Sequence, residues 1–377
     1  VDQWSLYVHL PFCLSRCAFC DLSAFQGVKE SWVSYVGALK REIEDRLPHD
    51  RACYTIYVGG GTPSWMPLKL FEEFFAIGGL SRVRGECEQF SMEANPSDIT
   101  PGSVHVWRSL GVNRITLGLQ TFDSKLLETL GRTQQTTDAL RALELLNESC
   151  MPFGVDLLYG IPGQTLQAFE DDLTRALAFS PDHVSCYALT IGYRSIKSHF
   201  EGVQLPDDDL MVDMMRLAQA ILSAAGYDRY EVSNWSRNGR RCLYNWAVWH
   251  LMPYVGIGAA AHSATTDHGR RRVRRWNVAS PKRYIALSQQ DACVMEAEEQ
   301  LERHTALREQ LMIGLRLVEG VCLRRFREDA GCSLSEWLSG REFALLNEGL
   351  VRYRDGFLFV TERGWPLTDA ITRHLLA

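Results

Sequence analysis

Three cysteines crowd into one short stretch near the start of the chain, Pro11-Phe12-Cys13-Leu14-Ser15-Arg16-Cys17-Ala18-Phe19-Cys20. Three thiolates on one tight loop are one too few for a closed four-ligand site. They suit a cubane of four irons that keeps one iron free for another molecule. The alternatives are three buried thiols, or a zinc site missing its fourth ligand. Zinc sites usually show two paired clusters or Cys/His pairs, and no second Cys-x-x-Cys occurs here. The spacing therefore points to a cluster.

A second set of residues could hold what binds that free iron. Gly59-Gly60-Gly61-Thr62 follows a strand-like run, and consecutive glycines let a ligand approach the backbone closely, although a tight turn would use them too. Glu93, Gln120 and Asp156 each sit in or at the end of a further strand-like run, and Arg132 follows Leu130-Gly131. Singly, each is an ordinary polar residue at a strand end. Together they suit a zwitterionic amino acid joined to a ribose: carboxylates accept from ammonium and hydroxyl groups, and the guanidinium pairs with a carboxylate.

The elements that must position them alternate along the chain. Strand patterns cover 6–10, 55–58, 89–93, 114–117, 154–158 and 183–189, with amphipathic helical patterns at 31–47, 67–77, 123–130, 137–146 and 166–179. Six βα units require a parallel sheet with right-handed crossovers. The polar residues fall at carboxyl ends of strands, where such barrels build their sites. The expected fold is α/β, an open six-unit barrel spanning 1–235. A connecting segment, 236–295, holds an aromatic, glycine-rich stretch. Beyond it, 296–377 reads as a small helical, winged-helix-like domain, with helices at 305–318, 323–329, 334–348 and 362–376 and a hairpin at Asp355-Gly356.

Composition narrows the class. A chain of 377 residues carrying a net charge of -6 gives no reason to expect wholesale binding to nucleic acid or an anionic membrane. From residue 300 onward, eleven arginines face eleven acidic residues without a lysine, so the winged-helix-like part lacks a nucleic-acid footprint. No run of about 18 apolar residues would span a bilayer, and no signal-peptide pattern is present. An odd count of eleven cysteines, eight of them scattered, argues for reduced thiols in a cytoplasmic compartment.

These motifs resemble one family. The order of Tyr7-Val8-His9-Leu10-Pro11-Phe12-Cys13, Gly59 to Ser64, Gly118-Leu119-Gln120-Thr121-Phe122, Leu130-Gly131-Arg132, the segment 156–165, Arg229 to Trp235 and Gly256 to Ser263 is similar to the anaerobic coproporphyrinogen-III-oxidase-like branch of radical S-adenosylmethionine (SAM) proteins. Within it the chain resembles the heme-chaperone (HemW-like) subfamily. The resemblance implies a [4Fe–4S] cluster on Cys13, Cys17 and Cys20. It further implies a SAM site lined by Tyr7, Phe19, Gly60, Gly61, Thr62, Glu93, Gln120, Arg132, Asp156 and Ala188.

Two features separate chaperone from oxidase. The oxidases carry a fourth cysteine as Cys-x-Cys, where this chain has Leu22, and a long N-terminal arm, whereas twelve residues precede Cys13 here. The expected function is binding heme, or another tetrapyrrole, and handing it to an acceptor protein. The alternatives are oxidative decarboxylation of coproporphyrinogen III, or a cluster-bearing interaction protein without heme. One departure concerns heme itself. The subfamily's His-Asn-x-x-Tyr-Trp motif reads Tyr244-Asn245-Trp246-Ala247-Val248-Trp249, so the motif histidine is absent. Tyr244 could ligate ferric heme as a phenolate, and His250 and Cys242 lie nearby. The run Arg270 to Arg275 could pair with heme propionates, but an exposed, solvated loop is expected.

Overall fold

The computed structural model describes residues 3–27, 29–266 and 272–377. Six parallel strands, Trp4–Leu10, Cys53–Gly60, Gln89–Ala94, Arg114–Gln120, Phe153–Tyr159 and His183–Ala188, lie side by side in chain order. Their period-two pattern decides what faces where. Leu6, Val8 and Leu10 on the first strand, and Val155 and Leu157 on the fifth, are fully buried in the main core. The alternate residues Tyr7, His9 and Asp156 are thereby directed into the concave side. The sheet runs from Met295–Gln300 at one edge to Asp228–Glu231 at the other without closing, so the barrel is open.

The outer layer contains Lys29–Arg46, Leu68–Phe75, Thr136–Glu148 and Leu166–Ala178, close to the expected helices. Pro101–Ser109 is a further helix that no long apolar stripe announces. Its local sign is a capping box, in which Thr100 and Ser103 satisfy each other's backbone N–H, with Pro101 opening the first turn.

The segment 236–295 does more than connect. Tyr254–Ile257 adds a seventh parallel strand beside Trp4–Leu10, and His262–Thr266, Arg272–Asn277 and Met295–Gln300 continue the sheet antiparallel. Val255, Ile257, Val278 and Tyr284 are buried in the same core as the barrel. Glu42, buried on Lys29–Arg46, ties this extension down. Its carboxylate accepts from Gly258 N at 2.8 Å, Asn277 Nδ2 at 2.6 Å, Tyr284 Oη at 2.5 Å and Arg46 at 2.7 Å. Arg272, Arg274 and Arg275, expected in a solvated loop, belong to a strand whose neighbour carries Glu298 and Glu299. Arg275 pairs with Glu298 at 2.5 Å, and Arg274 pairs with Glu299 and Glu309. Arg270 and Arg271 lie outside the described residues.

The C-terminal part has its own core around Leu311, Phe326, Leu338, Leu358 and Leu375. It combines helices with a three-stranded sheet of Val321–Cys322, Phe357–Val360 and Val351–Arg354, a winged-helix-like arrangement. The single helix expected over 334–348 is two, Leu334–Leu338 and Glu342–Asn347. Ser339 and Gly340 adopt φ of 53° and 79°, a left-handed turn that no helix continues through. At the seam, the Arg229 guanidinium lies 4.9 Å from the Trp235 ring and 4.2 Å from that of Trp365. Backbone bonds Val232 N to Arg316 O (3.0 Å) and Val318 N to Tyr230 O (3.2 Å) close the join.

Candidate cluster and cofactor site

The cysteine loop is pinned from several sides. Gly27 N donates to Cys13 O at 3.1 Å, Ala18 N to Leu130 O at 3.0 Å, and His9 Nε2 meets Ser23 O at 3.0 Å. A strap following the sixth strand lies across it: Ile196 N donates to Ala18 O at 2.8 Å, Ser195 Oγ to Phe19 O at 2.9 Å, and Arg194 N to Asp21 at 2.5 Å. A Cβ on Gly192 would overlap the Asp21 carboxylate, so the strap passes close to the cysteine loop there.

A cavity of about 420 Å³ opens at the carboxyl ends of the strands. Cys13, Cys17, Cys20 and Phe19 border it together with Gly60, Gly61, Thr62, Glu93, Gln120, Arg132 and Asp156. Eleven of the thirteen residues assigned to cluster and SAM thus share one cavity. Tyr7 sits to one side, with its ring stacked on Tyr57 and Tyr244 and its hydroxyl 3.0 Å from His9 Nδ1. Ala188 ends the sixth strand, exposed, and does not border the cavity. Among the described residues no group of three or more His, Cys, Asp or Glu converges as a single-ion site.

Electrostatics order the site. Burial pushes the Cys13 thiol up to about 11 and raises Cys20, while the positive charge of Arg132 works the other way on Cys13. Arg132 donates to Asn95 Oδ1 at 2.8 Å, Gly118 O at 3.1 Å and Gln134 Oε1 at 2.7 Å. Asn95 and Gln134 also line the cavity and were not among the expected residues. Their only sequence signal is position, one just past the third strand and one two residues beyond Arg132. Burial raises Glu93 to about 7 and Asp156 to about 6. Glu93 accepts from Tyr57 Oη at 2.8 Å and Gly60 N at 3.2 Å.

Two buried oxygens of the cavity wall, Asp156 Oδ1 and Gln120 Oε1, lack partners among the described residues. Gln120 has a φ of 65° after a register slip past Gly118, a bulge that re-aims its side chain. Buried acceptors without donors are costly unless a ligand supplies donors. The glycine run leaves no room for side chains: a Cβ on Gly61 would lie 2.7 Å from the Pro11 carbonyl carbon. These features fit a cluster on three thiolates beside an ammonium- and hydroxyl-bearing cofactor.

The residues expected around heme sit elsewhere. Leu243–Trp249 is a helix whose start is bound to Gln89, at the opposite end of the strands from the cysteines. Tyr244 stacks on Tyr57 at 4.9 Å and Tyr7 at 5.8 Å. His250 has both ring nitrogens engaged, by Trp246 O and by Glu319, each at 2.7 Å. Cys242 is buried. Neither His250 nor Cys242 presents a free ligand atom at an open surface, and the Tyr244 ring belongs to an aromatic stack.

The fold and the site define a radical SAM protein. The model of the Radical SAM superfamily matches residues 7–176, and that of the HemN C-terminal domain matches 301–367. The fold is shared with coproporphyrinogen III oxidase (HemN) from Escherichia coli, at a TM-score of 0.83 over 99% of this chain and 90% of that chain, with 20% identity. The heme chaperone HemW of Mycobacterium tuberculosis is 33% identical over 388 aligned positions, covering 100% of this chain and 95% of its own. That of Bacillus subtilis is 28% identical over 374, covering 97% of each. The chain belongs to the HemW family.

Proposed function

We propose that this protein is a heme chaperone. It carries a [4Fe–4S] cluster on Cys13, Cys17 and Cys20, binds SAM beside the cluster, and passes heme to an acceptor protein. The observation that carries the cofactor reading is the pair of unpartnered buried oxygens, Asp156 Oδ1 and Gln120 Oε1, facing the same cavity as three thiols. When bound, the cluster supplies an iron open to the amino and carboxylate groups of SAM. Arg132 would hold the carboxylate, Glu93 and Asp156 would accept from ammonium and hydroxyl groups, and the glycine turn would admit the ligand to the backbone. Leu22 borders the cavity at the place where, by resemblance, the oxidases carry a further cysteine.

The eleven cysteines are all free, which suits a reducing, cytoplasmic setting. Among the described residues no helix is long and apolar enough to cross a membrane. The test is hemin titration of anaerobically reconstituted protein, with product analysis after adding SAM, a strong reductant and coproporphyrinogen III. Stoichiometric hemin binding with no decarboxylated product supports the chaperone. Formation of protoporphyrinogen would move the protein to the oxidases.

A further inference from the structure

The concave face of the barrel continues past Tyr7. Tyr254 pairs across the sheet with Ala264, Ala264 with Arg274, and His262 with Trp276. Because side chains alternate, these five residues share one face, while Ser263 and Arg275 take the other. That face is the inner one. Tyr254 meets Tyr244 edge-on at 6.3 Å, and Tyr244 in turn stacks on Tyr7. Ser263 instead accepts from Arg46 of the outer helix. Between Tyr7 and this ridge the register partner is Gly256, and the His262 backbone packs into the space that a side chain there would take.

His262 is exposed on this face, and no hydrogen bond reaches its ring nitrogens among the described residues. Its ring stacks on Trp276, with centroids 5.8 Å apart and planes at 21°. Desolvation, then the positive charges of Arg274 and Arg194, hold it below the usual histidine range, which keeps a lone pair available. Arg194 comes from the strap over the cysteine loop and also acts on His9. Arg274 is committed to Glu299 and Glu309, whereas no ion pair holds the Arg194 guanidinium among the described residues. An accessible imidazole, an indole beside it and an uncommitted guanidinium together match a metalloporphyrin carrying carboxylates.

We propose that His262 is the axial ligand of the heme this chain carries, with Trp276 setting the imidazole's orientation and Arg194 pairing with a propionate. The proposal rests on the heme-binding reading above. It supplies an uncommitted imidazole, whereas the ring of His250, near Tyr244, is engaged at both nitrogens.

The test is hemin titration into the full chain, followed by absorption and EPR spectroscopy, for wild type, His262→Ala, His262→Gln, Arg194→Gln and Tyr244→Phe. His262→Ala and His262→Gln should bind hemin at least tenfold more weakly, with the wild-type spectrum restored to His262→Ala by added imidazole. Arg194→Gln should weaken binding severalfold without changing the spectrum, and Tyr244→Phe should change neither. Wild type and both His262 variants binding with one spectrum and one affinity would overturn the assignment while leaving the chaperone reading intact. A spectrum altered only in Tyr244→Phe would overturn it in favour of the phenolate. Wild type that binds no hemin would overturn both readings.

Discussion

Glu231 lies buried where the barrel's last strand meets the C-terminal domain, its carboxylate accepting from Ser233 N at 3.1 Å. Burial pushes it from 4.5 up to about 7, against the Ser233 N–H and the charges of Arg229, Asn234 lending a further bond. The folded chain therefore holds this proton more tightly than the unfolded chain does. The linked stability is complete below about pH 4.5 and is lost as pH rises through about 7. The difference, 7 − 4.5, is 2.5, and at about 1.36 kcal/mol per pH unit it amounts to roughly 3 kcal/mol. Glu231→Gln stays neutral and keeps an oxygen for Ser233 N. It should exceed wild type in stability by roughly 3 kcal/mol at about pH 8, and the gap should close as pH falls toward about 5. Urea unfolding at several pH values, followed by tryptophan fluorescence, measures this, since Trp235 and Trp365 flank Arg229 at the seam. A gap that varies by less than about 1 kcal/mol over that range would refute the reasoning.

Loss of Cys13, Cys17 or Cys20 to Ala should abolish the iron–sulfur chromophore of reconstituted protein, whereas Cys53→Ala, Cys150→Ala and Cys293→Ala should keep about four irons by iron assay. Asp156→Ala should spare the cluster but blunt the change in its EPR spectrum when SAM is added; an undiminished response would remove Asp156 from the SAM site. Glu42→Ala strands the buried donors Gly258 N and Tyr284 Oη, at about 1–3 kcal/mol each. It should lower the barrel's unfolding free energy by about 4 kcal/mol in denaturant titration, and a loss below about 1 kcal/mol would show that the extension is held otherwise.

The chemistry was legible where it is local. A cysteine triplet, a glycine run and polar residues at strand ends are written in short stretches, and the six parallel strands follow from alternating patterns. Partnership between distant strands is not written that way. Nothing in Tyr254-Val255-Gly256-Ile257 names Trp4–Leu10 as its neighbour, so the extension of the sheet stayed hidden. The arginine run read as a solvated loop because its neutralising partners, Glu298 and Glu299, arrive over twenty residues later and meet it only across strands. Tyr244 occupies the position of a motif histidine, but its stacking on Tyr57 and Tyr7 depends on three separate segments. His262 was visible only as part of a motif, since its accessibility depends on which face of the sheet it takes.

The first strand, which carries the cysteine loop, has one neighbour that follows about 50 residues later and another, Tyr254–Ile257, that follows about 250 residues later. At synthesis rates of about 5–20 residues per second, the far side of that strand stays unpaired for roughly 12–50 s. An exposed apolar strand edge is a template for pairing with other chains, and Leu6, Val8 and Leu10 flank it. The cysteines are thus presented to solvent and to any iron–sulfur donor while the strand beneath them is still half-built. Loading the cluster at that stage would tie the loop down before the last parallel strand docks, and overexpression without enough iron would lengthen the period in which the strand edge invites aggregation.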